Sequence, residues 1–157
     1  MKYPSFLFAA IVMVGATACG GNSGTGPSPS YENIAGTYSG GMTGISAGVA
    51  LSATFSITLT QSSASIGGSY GLTGTVSDGV SSVDIAGTGT LVGTIVAGSN
   101  PSVNITVRSG DCPTRSSNFS GAYDSANSRL TITGPVQVFA NDCTVFRTYQ
   151  TTFILNR

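Results

Sequence analysis

The sequence has no histidine and no tryptophan, and its only lysine is Lys2. Without histidine the commonest general base near neutral pH is missing. With lysine confined to the second position, amine nucleophiles and Ser–Lys dyads are excluded from the body of the chain. Charge is scarce: 8% of residues are Asp, Glu, Lys or Arg, against about 25% in ordinary soluble domains. Beyond residue 18, five scattered arginines face six acidic residues, and such a chain offers no clustered cations to a phosphate backbone, which argues against nucleic-acid binding. Zinc would need grouped Cys or His, and the cysteines number three. No segment joins helical spacing to helical composition, and no G-x-S-x-G elbow is present. The carboxylates Asp78, Asp84, Asp111, Asp124 and Asp142 fall mostly in turn-like contexts, where Asp caps its own backbone. Asp124-Ser-Ala-Asn127 lacks the dense oxygen spacing of a calcium loop. The expectation is a protein that is not an enzyme, without metal or cofactor.

The N-terminus is where the first positive signal lies. Met1-Lys2 supplies a positive end, Phe6 to Val14 an unbroken apolar run, and Gly15-Ala-Thr-Ala18 the small residues of a processing site. Nine apolar residues are too few for a helix that needs about 20 to cross a bilayer, so residues 1–18 read as a signal peptide. Cys19 follows directly. At these residues the sequence resembles the lipobox of bacterial lipoproteins, with Ala16 standing where Leu is commonest. The resemblance implies cleavage before Cys19, acylation of its sulfur and a membrane-anchored protein. Gly20, not an acidic residue, implies release to the outer membrane in an organism that has one. The alternative is an ordinary secretory peptide cut near Ala18 beside an incidental cysteine.

Cysteine arithmetic agrees with an anchor, since an odd cysteine in an exported chain needs a role. With Cys19 taken by lipid, Cys112 and Cys143 remain as a pair in an oxidising compartment. Both sit beside turn residues, in Gly110-Asp-Cys-Pro113 and Asn141-Asp-Cys-Thr144. We expect them to form a disulfide, worth at most about 3.7 kcal/mol by loop-closure entropy. Two separate thiols are the alternative.

Residues 19–33 read as a lipidated tether. Gly20 to Ser30 contains no large apolar side chain, and as a loose coil it spans about 18 Å. From residue 34 to 157 the chain reads as one β domain, because the apolar residues recur every second position. Leu51, Ala53, Phe55, Ile57 and Leu59 alternate with Ser and Thr, as in a half-buried strand. The same alternation returns at Ile66–Val76, Leu91–Ile95, Val103–Val107, Phe119–Tyr123, Leu130–Ile132 and Val145–Leu155. Asp78-Gly79 and Asp124-Ser-Ala-Asn-Ser128 punctuate hairpins. Eight or nine strands with short connections predict an all-β, antiparallel up-and-down meander. Closure into a small barrel of about eight strands would remove exposed edges; a two-sheet β-sandwich is the alternative.

Glycine-rich openings, Ala35-Gly-Thr-Tyr-Ser-Gly-Gly41, Gly67-Gly-Ser-Tyr-Gly71 and Asn118-Phe-Ser-Gly-Ala-Tyr123, supply the coiling that small barrels need. Over residues 34–155 the chain resembles the lipocalin-like small barrels of bacterial lipoproteins, though without their tryptophan or a C-terminal helix. That resemblance implies a small apolar ligand held inside. The inner row is large and apolar enough to pack against itself, and a barrel of this size is either filled or admits one small ligand. Tyr70, Tyr123 and Tyr149 are the candidate ligand contacts, as tyrosines that would bring hydroxyls to a pocket. Arg147, on the inner register of the last strand, must meet a carboxylate, a carbonyl, an anionic ligand or solvent at the rim. Phe146 and Ile154, on the other face of that strand, suggest an outer apolar patch for an envelope protein or glycan partner. Two functions remain: a binding module for a small apolar molecule, or a structural or interaction module of the envelope with a filled core.

Overall fold

The computed structural model describes residues 28–157; the expected signal peptide, Cys19 and most of the expected tether lie outside the described residues. Eight strands follow one another: β1 Gly36–Ser46, β2 Val49–Ser62, β3 Ser65–Ser77, β4 Ser82–Ile95, β5 Ser102–Ser109, β6 Ser116–Asp124, β7 Arg129–Phe139 and β8 Val145–Asn156. Each pairs antiparallel with the next, and β8 returns to β1, so one sheet closes into a barrel. The sandwich alternative is thereby corrected: among the described residues all eight strands belong to one closed sheet. The closing seam carries a single registered pair, Ser39↔Asn156.

Alternation fixes which side chains enter the barrel, since successive residues of a strand point to opposite faces. On β2 the odd residues Leu51, Phe55, Ile57 and Leu59 are each no more than 3% exposed while every Ser and Thr between them is exposed. The outer wall is Ser, Thr, Asn, Gln and Gly almost throughout, with an apolar interior. This is the inverse of a membrane-spanning barrel, whose apolar band faces outward.

Turns are built as their sequences require. Asp78 Oδ1 accepts from the N–H groups of Val80 (2.9 Å) and Ser81 (2.7 Å). Asp142 Oδ1 accepts from Thr144 N (2.9 Å) and Oγ1 (2.7 Å). Asp124 accepts from Asn127 Nδ2 at 2.7 Å and pairs with Arg129 at 3.2 Å. Cys112 and Cys143 are bridged, with Cα atoms 5.6 Å apart. The bridge ties the β5–β6 loop to the β7–β8 loop at one end of the barrel.

Candidate functional site

Two ends of the barrel differ in how completely they are filled. At the end where β1 begins, Ile34, Tyr38, Ile57, Leu91, Ile95, Val103, Leu130, Ile132 and Leu155 are at most 2% exposed. Gln61 closes the base by accepting from Ile34 N at 2.8 Å and donating from Nε2 to Glu32 O at 2.9 Å. Tyr38 donates its hydroxyl to Ile34 O at 2.9 Å. Its burial, with Tyr123 beside it, pushes the phenol's pKa well above the ordinary value of 10.0.

The disulfide end is open, and ladder lengths explain why. The β3–β4 ladder continues to Ser77↔Ser82, but the β4–β5 ladder stops at Gly89↔Ser109. Likewise the β7–β8 ladder reaches Phe139↔Val145, whereas β6–β7 stops at Ser120↔Thr133. Two tall hairpins, β3–β4 and β7–β8, thus overshoot the short β5–β6 hairpin between them and leave a notch. Pro135 lies in the stretch of β7 that has lost its β6 partner, where a missing N–H costs least.

Below the notch lies a cavity of about 670 Å³, within the range of ligand pockets. Phe55, Phe119 and Phe153 line its deep end, with Phe153 at 4.6 Å from Phe55 and 5.8 Å from Phe119 between ring centroids. The walls are Tyr70, Leu72, Val76, Ile85, Val107, Val136 and Val138. Val83, which alternation also turns inward, remains 63% exposed because β5 stops short of it. Polar groups are few and lie high. Tyr70 is held above its ordinary pKa chiefly by burial, opposed by a hydrogen bond with Ser109 and reinforced by the Asp111 charge. Arg115 lines the mouth and donates from Nε to Cys143 O at 3.0 Å. The cavity can therefore enclose an apolar group and offer a hydroxyl and charged side chains toward its opening.

Of the four expected ligand contacts, the structure brings only Tyr70 to this cavity. Tyr123 is in the sealed end, edge-on to Tyr38 with centroids 6.3 Å apart. Tyr149 is 1% exposed and packs over Gly44 at the seam, its hydroxyl without a partner among the described residues. Arg147 stands at the rim opposite Val138, with its guanidinium carbon 5.4 Å from the Phe146 ring centroid. Its Nε is buried without a partner among the described residues. Phe146 and Ile154 are 62% and 51% exposed but lie at opposite ends of β8, so the joint outer patch does not form.

The residues that sequence reasoning missed as a site are the phenylalanine floor, Val136, Val138, Asp111 and Arg115. The phenylalanines carried the inward signal, but nothing in alternation marks where a neighbouring ladder stops. Among the described residues no three His, Cys, Asp or Glu side chains gather to hold a metal ion. No protein-family model matches the chain, and neither the curated proteins nor the solved structures contain a match to it.

Proposed function

We propose that this protein is an exported binding module, anchored through lipid on Cys19, that takes a small apolar ligand into the open half of its barrel. The observation that supports this most is the asymmetry of filling. The same inward row that is sealed around Leu91 and Leu130 leaves about 670 Å³ above Phe55, Phe119 and Phe153. A core that served stability alone would close over such a void, because unfilled apolar space costs packing energy. The filled-core envelope module fits this cavity poorly.

Two experiments test the reading. Titration with the neutral apolar dye N-phenylnaphthylamine should give saturable binding to one site, and Val107→Phe, which fills the cavity, should weaken it by about tenfold. Equal binding by both proteins overturns the site. For the anchor, cells fed radioactive palmitate should label the wild-type chain and not Cys19→Ala; label on both, or on neither, overturns it.

A further inference from the structure

The opening of the cavity is bounded by strand edges whose backbone groups have lost their partners. Gly110 N donates to Thr88 O at 2.8 Å, so the even-numbered residues of β4 turn their N–H and C=O toward the β5 side. The β4–β5 ladder begins only at Gly89. The N–H and C=O of Asp84 and Ala86 therefore face the notch with no backbone partner among the described residues. The cavity reaches this edge, since Asp84 and Ala86 border it together with the inward Val83 and Ile85. Across the notch, Gly134–Phe139 of β7 has likewise outrun β6.

We propose that the β4 edge is a docking site for an extended peptide, which adds to β4 as a strand and turns alternate apolar side chains into the cavity. The inference rests on the reading of the cavity as an apolar binding site, and adds a ligand class to it. A lipid or an apolar small molecule fills the void but supplies no N–H and C=O at strand spacing. A peptide supplies both, with backbone bonds for affinity and alternate side chains for selectivity. Edge pairing with a second copy of this chain is opposed by Asp84 in the middle of the edge, since it would bring like charges together.

The test uses the full oxidised chain, a blocked heptapeptide of alternating valine and threonine with lysine at each end, and two analogues of it methylated on alternate amide nitrogens in opposite phase. Binding is read from amide shifts of Asp84, Ala86 and Thr88 and, separately, from displacement of N-phenylnaphthylamine. The peptide should shift those amides and displace the dye. One methylated phase should weaken binding by about tenfold and the other should not. Ala86→Pro, which removes an edge N–H, should lose the peptide while the amide shifts of the sealed half stay those of the wild-type fold. Equal binding of both methylated phases with the parent, or no effect of Ala86→Pro, overturns strand addition. Amide shifts at the edge that grow with protein concentration alone overturn the peptide in favour of a second copy. Dye binding with no peptide binding sinks only this inference; peptide binding with no dye binding sinks the apolar cavity and leaves the edge.

Discussion

Tyr70 lies across Gly89 of the neighbouring strand: a Cβ built on Gly89 would sit 2.6 Å from Tyr70 Cε1 and would also strike Arg108 O. The glycine lets the phenol lie down along the wall, and so sets the width of the cavity. Phe119 uses Gly134 in the same way. We predict that Gly89→Ala destabilises the fold by about 2 kcal/mol, through overpacking against backbone that cannot yield. Urea unfolding checks this, and a loss below about 0.5 kcal/mol would mean that Tyr70 is free to move.

The two halves of the barrel should respond differently to the same truncation. Leu91 is 2% exposed in the sealed half, while Leu72 is only partly buried on the cavity wall. Leu91→Ala should cost about 3 kcal/mol, as for a core leucine whose neighbours cannot collapse into the gap. Leu72→Ala already faces open space and should cost less than half of that. Equal losses in paired urea melts would mean that the wall is as tightly packed as the base.

Much of this architecture is legible in the sequence. Period-two alternation from Leu51 to Leu155 marks the inward rows, because burial of one face is what that pattern encodes, and the short connections mark the meander; closure rests on the removal of exposed edges, and alternation alone leaves a two-sheet sandwich open. The start of β4 is not legible: Val83-Asp-Ile-Ala-Gly-Thr-Gly89 alternates weakly, since alanine and glycine mark neither face. That omission hid the cavity, because β4 from Ser82 to Thr88 is the tall wall that rises past β5. The same limit applies to Tyr123 and Tyr149. Alternation says that a tyrosine points inward, and only the height of the neighbouring strands decides whether it meets core or opening.

The disulfide joins the β5–β6 loop at the foot of the notch to the β7–β8 loop at its side, and its removal should be felt both globally and at the mouth. By loop-closure entropy over a separation of 31 residues, replacing both cysteines with serine should lower stability by up to about 3.7 kcal/mol. The mouth should loosen as well, seen as faster amide hydrogen exchange in residues 110–115 than in the sealed half. Unchanged exchange there would assign the bridge to stability alone.

Stability should be flat across neutral pH and fall at both extremes. Hydrogen bonds from their own turns lower Asp78, Asp124 and Asp142 below the ordinary 3.8. Their contribution is present above that value, and is lost as pH falls through the lower folded values. Burial raises Tyr38 and Tyr70 above 10.0. For these phenols the folded state holds its protons longer than the unfolded chain, so stability is intact below pH 10 and declines above it. Urea midpoints taken from pH 2 to 12 check both limbs. With no histidine in the sequence, a step between pH 5 and 8 would contradict this assignment.

On the proposed reading an apolar ligand enters the disulfide end of the barrel and stops at the phenylalanine floor. Nuclear Overhauser contacts between bound N-phenylnaphthylamine and assigned methyl groups test it most directly. Contacts are expected with Leu72, Val107 and Val136, and none with Ile95, Val103 or Leu130. Contacts with the latter three, or with Ile154 on the outer wall alone, would contradict it.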